Sequence, residues 1–311
     1  MIDIFTTAFI ATFIAGVIAS AIPLVLGSLG ETLGEQSGVL NLGIEGMMLF
    51  GAYFGFVTTL ETGSYALGLF SGTVAGVVMA VLMVILNIWL GLNQIVIGLA
   101  LTMLGGGITS VLYFSTYGQT TPRLGQTDLF PIPVLSEIPV VGSSIFQQPL
   151  AFWIALVLAI IVAAVLSQTN FGLRVRAAGQ NPNSLDAAGG NVVRTRTYSA
   201  LLGGAFSGFG GAYLALITAG TFTPFMTSGI GYIAIVVTML SRGRILWVIA
   251  SSFVYGLSVS VGTVLQLTSF DLPTDVIKML PFVAVMITLI VFARSSYVPP
   301  ALGVPYTRGA R

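Results

Sequence analysis

The sequence predicts an all-α polytopic membrane protein with about nine transmembrane helices, and three observations carry that reading. The 311 residues are 56% hydrophobic and 7% charged, with a mean hydropathy of +1.00; soluble domains carry about 25% charged residues. The apolar residues fall in runs of about 17–25, the length of a bilayer-crossing helix. The two-residue alternation of a membrane barrel does not occur in them. Thirty-eight glycines fit this class, because membrane helices use glycine for close packing.

Span one covers about 5–29, and Pro23 and Gly27 are expected to bend its end. The N-terminus lacks the basic region of a cleaved signal peptide, so this run is expected to be retained. A polar stretch at 30–38 follows, with Glu31 and Glu35. Span two, about 39–60, contains Asn41 and Glu45. Tight turns at 61–64 and 91–94 flank span three (about 65–90) and lead into span four (about 95–114). Residues 115–148 are polar and proline-rich, with Arg123, Asp128 and Glu137, and read as a loop with little regular structure. Span five is about 149–167, and an arginine-rich loop occupies 168–197. Spans six to nine are expected at about 198–219, 226–240, 245–267 and 276–293, with Asp271 and Asp275 in the last loop. Glycine and proline break the stretch 221–232, for which a re-entrant segment is the alternative to a span.

Lysine and arginine mark the cytoplasmic side. The loop 168–197, the turn 242–244 and the tail with Arg294, Arg308 and Arg311 all fall on one side of a nine-span count. That count places the N-terminus outside, the loop 115–148 external and the C-terminus in the cytoplasm. Arg123 is the main exception.

The arginine-rich loop holds Arg174, Arg176, Arg194 and Arg196, four of the eleven basic residues. It also spells a short helix. Asn181 is suited to cap an N-terminus, and Pro182 stands at the first helical position, where no N–H is needed. Asp186 suits the positive end of the helix dipole, and Gly189 and Gly190 can stop the helix with positive φ. Such a helix, set between apolar segments, must lie on the membrane surface or dock on another protein.

Several function classes are excluded. With no Cys and no His, thiol nucleophiles and histidine-based metal or acid–base chemistry are out. The only lysine is Lys278, so no P-loop is present to bind ATP. A net charge of +1 gives no argument for nucleic acid. Small residues recur every fourth position in four ladders: Gly68–Gly72–Gly76–Ala80, Gly98–Thr102–Gly106–Ser110, Ala200–Gly204–Gly208–Ala212 and Ser252–Gly256–Ser260. Each lies on one helix face, for static packing or for sliding.

Glu45 is the one acid well inside an apolar span, and Asn41 stands one turn earlier on the expected helix. An ionisable residue there is a functional candidate. It either lines a polar substrate path, or makes a structural bond to a neighbouring helix or caps a broken one. Asn93 and Gln94 open span four and resemble helix-end groups; with Thr102 and Tyr232 they complete the candidate path residues.

The stretches Gly38-Val-Leu-Asn-Leu-Gly-Ile-Glu-Gly-Met-Met, Asn93-Gln-Ile-Val-Ile-Gly, Gly172-Leu-Arg-Val-Arg-Ala-Ala-Gly-Gln-Asn-Pro, Gly208-Phe-Gly-Gly-Ala-Tyr and Pro300-Ala-Leu-Gly-Val-Pro-Tyr together resemble the bacterial ABC-importer permeases of the ribose and nucleoside type. The first resembles most the nucleoside branch. The resemblance covers nearly the whole chain and implies one permease domain over 1–311 with a type II importer-like helical bundle. It implies no covalent chemistry and no cofactor in this chain, ATP and Mg being bound by partner ATPase subunits. It also implies a second permease subunit, identical or not, an external solute-binding lipoprotein or periplasmic protein, and a bacterial inner (plasma) membrane location. Gly179, Gln180, Asn181, Pro182, Ser184, Leu185, Asp186 and Gly189 would then belong to the coupling helix that meets the ATPase. A simple sugar such as ribose or a hexose is the alternative solute. A stand-alone secondary transporter is the rival of another class.

Overall fold

The structure, a computed structural model, describes residues 6–133, 135–138, 141–267, 273–292 and 298–307. Asp271, Arg294, Arg308 and Arg311 lie outside the described residues. The first helix, α1 (Thr7–Gln36), starts where the Thr6 hydroxyl accepts the Phe9 N–H. It runs through Pro23 and through the expected polar stretch, so Glu31 and Glu35 are helical and buried. Ser37 and Gly38 end it; Gly38 has φ +88°, which a side chain would resist. α2 (Ile44–Thr62) begins only at residue 44. Asn41 therefore stands in the turn and not one helical turn before Glu45, as expected from the sequence.

Next come α3 (Tyr65–Met83), continued by a π-helical stretch to Trp89, and α4 (Gln94–Tyr117). The segment after α4 is mostly irregular but holds a small antiparallel ribbon. In it β1 (Leu129–Pro131) pairs with β2 (Gln147–Pro149), around the short α5 (Val141–Ile145). α6 (Leu150–Gln168) leads to α7 (Asn170–Gln180), a helix where the sequence suggests loop, then to α8 (Pro182–Ala187), the short helix that the sequence spells, and to α9 (Val192–Tyr213), whose first turns lie in the expected loop. A π-helical stretch extends α9 to Ala219, so this helix begins six residues before the expected span six. Residues 220–229 are not helical, and α10 (Ile230–Ser241) has 12 residues. α11 (Ile245–Leu267) and α12 (Thr274–Phe292) complete the helices.

Among the described residues, six helical stretches are long and apolar enough to cross a membrane: Thr7–Gln36, Tyr65–Trp89, Gln94–Tyr117, Leu150–Gln168, Val192–Ala219 and Ile245–Gln266. α2 and α12, with 19 residues each, and α10 fall outside that set. At 1.5 Å per residue α10 is about 18 Å long, against a hydrocarbon core of about 30 Å. It is long enough for about three-fifths of a crossing.

The small-residue ladders explain the centre of the bundle. The ladders of α3 and α9 face each other, and α2 joins them. A Cβ on Gly76 would overlap the Gly204 carbonyl oxygen, and one on Gly51 would overlap that of Gly208. A Cβ on Gly72 would stand 2.6 Å from the Gly51 oxygen. The ladder of α11 meets α1: a Cβ on Gly256 would lie 2.5 Å from the Val17 oxygen. On α4, Gly98 packs on Leu42 and Gly106 on the Phe225 ring. Backbones thus touch where only glycine leaves room, and van der Waals contact replaces the hydrophobic drive that lipid cannot supply. Outside this centre, Met103, Val111, Ile160, Leu246 and Met286 are exposed, which gives the bundle an apolar surface.

Candidate path and coupling sites

Two chain breaks meet inside the bundle. The turn 37–43 precedes α2, and the segment 220–229 precedes α10. Their first turns touch, since a Cβ on Gly231 would stand 2.6 Å from the Glu45 nitrogen. The Glu45 carboxylate bridges them. Oε1 accepts the Thr227 hydroxyl at 2.6 Å and the Gly229 N–H at 2.7 Å, and Oε2 accepts the Gly231 N–H at 2.7 Å. Gly229 has no side chain with which to cap α10, so Glu45 satisfies that helix start from another element. Its charge also lies at the positive end of the α10 dipole. This is the geometry of a cap on a broken helix, one of the two roles the sequence leaves open for Glu45. Phe225 (φ 58°) and Ser228 (φ 46°) are left-handed in the same break, which marks a tightly determined backbone.

Three other candidate path residues secure the first break. Gln94 Oε1 accepts the Leu40 N–H at 2.8 Å. The Thr102 hydroxyl donates to the Leu42 oxygen at 3.1 Å. Asn41 Oδ1 accepts the Gly43 N–H at 3.0 Å, and its amide donates to the Met47 sulfur at 3.3 Å. Asn93 stands apart as the exposed cap of α4, accepting the Ile95 and Val96 N–H groups at 2.9 and 3.2 Å. Tyr232 is half-buried on the first turn of α10, beside Gly231. A groove of ≈ 800 Å³ between α3, α6 and α9, with Phe70, Ile154, Phe206 and Phe209 in its wall, contains none of these residues.

The second site is the arginine-bearing end. Asn181 Oδ1 accepts the Ser184 N–H at 3.1 Å, Pro182 is the first helical residue, and Gly189 takes φ +80° after α8. Gly190 is not left-handed; a Cβ there would strike the Leu185 side chain. Leu185, one of the coupling-helix residues that the resemblance implies, does not face outward: it is buried with Ala178 and Val192, against Ala177 and Tyr306. The exposed residues of this segment are Asn181, Asn183, Ser184, Ala187, Ala188 and Gly189, while Asp186 is half-buried. Gln180 is exposed, and Gly179 is buried against the Gln36 carbonyl.

Arg196 departs from the solvated loop arginine that the sequence suggests. It is 3% exposed, and its guanidinium donates to the carbonyls of Ser37 (3.1 Å), Val304 (2.7 Å) and Ala301 (3.3 Å). Ala301 N–H donates to Gly179 and Gly303 N–H to Gly38, at 2.9 and 3.1 Å. The segment 298–307 is thereby strapped across the end of α1, α7 and the start of α9. A signal existed: Arg196 is one turn before Ala200, so it extends the ladder of α9 onto the buried face. Arg174, Arg176 and Arg194 are exposed.

The family described as branched-chain amino acid transport system / permease component matches residues 13–291. The guanosine ABC transporter permease protein NupQ of Bacillus subtilis is 32% identical over 308 residues, 94% of this chain and 95% of that protein. The nucleoside ABC transporter permease protein NupC of Lactococcus lactis is 31% identical over 296 residues, 92% and 93% of the two chains. A Haloferax volcanii protein, provisionally named a glucose ABC transporter permease, is 35% identical over 240 residues, 76% and 73% of the two. No solved structure matches the chain. Broken helices in an apolar bundle, matched nearly end to end by these sequences, leave one conclusion: the chain belongs to this family of permeases and is a multi-pass membrane permease component of the ABC transporter type.

Proposed function

We propose that this permease is one half of the channel of an ATP-driven importer and passes a nucleoside by alternating access. The observation that supports it most is α8, a capped helix held against its own chain by Leu185 while Asn183, Ser184, Ala187 and Ala188 stay exposed. A chain with no P-loop must receive its energy by contact, and this outward face is the contact for a partner ATPase that binds ATP and Mg. A second permease subunit would close the path, with the break at 37–43, Thr102 and Tyr232 in its wall. An external solute-binding protein would deliver the solute. Glucose remains the second reading because a glucose permease is among the relatives. Uptake of labelled guanosine, competed by unlabelled nucleosides and not by glucose, is the expected result; the reverse competition replaces the nucleoside with a sugar.

The docking face gives a direct test. Ala187→Trp adds a large ring to an exposed position and should leave the amount and melting of the permease unchanged. Co-purification of the ATPase should fall at least tenfold, since a few desolvated residues carry most interface energy and about 1.4 kcal/mol is a factor of ten. Undiminished co-purification and transport would assign α8 to a plain connector.

Orientation is tested separately. With nine crossings and the N-terminus outside, Gln119→Cys should react with an impermeant thiol reagent added to whole cells, while Ser184→Cys should react only after permeabilisation. Reaction of both from outside removes the proposed sidedness.

A further inference from the structure

Glu31 and Glu35 lie one turn apart near the end of α1 and are 1% and 0% exposed. Glu31 Oε1 accepts the Asn41 N–H at 3.3 Å. Glu31 Oε2 and both oxygens of Glu35 have no hydrogen-bond partner. Among the described residues the only ion pair is Lys278 with Asp275, and both of those are exposed.

Among the described residues, no cationic side chain of the elements packed on this end of α1 forms an ion pair with Glu31 or Glu35. On α7, Arg174 and Arg176 are exposed, and Gly179 touches the Gln36 carbonyl. In the turn between α10 and α11, Arg242 and Arg244 are exposed, and Gly243 packs on the Gln36 amide. On α9, Arg194 is exposed and the Arg196 guanidinium is committed to the carbonyls of Ser37, Ala301 and Val304. α11 carries no charged residue. Two ionised carboxylates in this place would each lose their hydration and would repel one another.

We propose that Glu31 and Glu35 form a proton-binding site, with the proton held on Glu35. The assignment to Glu35 follows from the donors: Glu31 receives a backbone N–H that stabilises its charged form, and Glu35 receives none. A proton fits better than a metal ion. Hard cations take six or more oxygen ligands, and the described residues hold no cluster of three acidic, His or Cys side chains. The buried group that also lacks a partner nearby, Gln36 Nε2, is a donor and would repel a cation. The proton comes from water and no other reactant is needed. The place is consequential, because this end of α1 is where α7 and the α10–α11 turn converge.

The test uses the full chain in lipid nanodiscs at neutral pH. Infrared spectra should show the C=O stretch of a protonated carboxylic acid in the wild type. The band should be lost in Glu35→Gln and kept in Glu31→Gln. Glu35→Gln should also accumulate and melt as the wild type does, since an amide copies the shape and neutrality of the acid. A wild type without the band, a band that survives Glu35→Gln, or failure of Glu35→Gln to accumulate would each overturn the assignment. A rise in melting temperature with sodium or potassium chloride, seen in the wild type and not in Glu35→Gln, would overturn it in favour of a bound cation.

Discussion

Gly208→Val should remove nearly all folded permease from the membrane. Gly208 is the point where α9 meets two other helices backbone to backbone. A Cβ there would overlap the Gly72 carbonyl oxygen and stand 2.8 Å from the Gly76 Cα on α3, and the Gly51 position of α2 faces the Gly208 carbonyl. The obstructing atoms are backbone, so no side chain can swing away to make room. Extra methyl groups in a packed core cost about 1–3 kcal/mol even where side chains can adjust; here the backbones of α9 and α3 must separate, and the cost lies above that range. Separation also forfeits the close contacts that hold membrane helices together. The control is Gly107→Val on α4, an exposed helical position where a Cβ would meet nothing within 4 Å. It should accumulate and melt as the wild type does. Equal folded yield and melting temperature for Gly208→Val and Gly107→Val would show that these helices do not depend on the close approach.

The same glycines show what the sequence made legible. Four-residue spacing places a ladder on one face, and the structure uses those faces as the contacts of α3 with α9 and of α11 with α1. The cap at Asn181 and the stop at Gly189 are local features, readable from a few adjacent residues, and they occur where the sequence places them. The failures share a cause. Hydropathy treats a polar stretch as a loop, yet α1 carries Glu31 and Glu35 for two further turns because neighbouring elements cover them. Counting arginines as solvated signposts misplaces Arg196, whose acceptors lie 105–159 residues away in the chain. Leu185 has the right character for a docking face, but a six-residue helix buries its one large apolar side chain against its own chain first. Local chemistry reads out from sequence; which distant backbone will satisfy a buried polar group does not.

Glu45 is the sharpest instance, and its substitution has the second large expected effect. Its three donors lie 182–186 residues further along the chain. Glu45→Ala leaves the Thr227 hydroxyl and the Gly229 and Gly231 N–H groups without acceptors. Each buried unsatisfied group costs about 1–3 kcal/mol, and the sum is a large fraction of a typical domain stability of about 5–15 kcal/mol. The damage should be local first, because α10 begins only at Ile230 and nothing else caps it. Amide hydrogen exchange over 225–233 should therefore rise by more than tenfold in Glu45→Ala, with loss of transport. Glu45→Gln should be intermediate: its one oxygen can keep the Thr227 and Gly229 donors, while its amide nitrogen faces the Gly231 N–H. Protection from exchange and transport should then fall in the same order across the series, wild type best, Gln next, Ala worst. The competing role makes a different pattern. If Glu45 acted on the solute, Glu45→Gln would abolish transport while exchange over 225–233 stayed at the wild-type rate. A cap and a ligand both need the carboxylate, but only the cap ties transport to the order of α10.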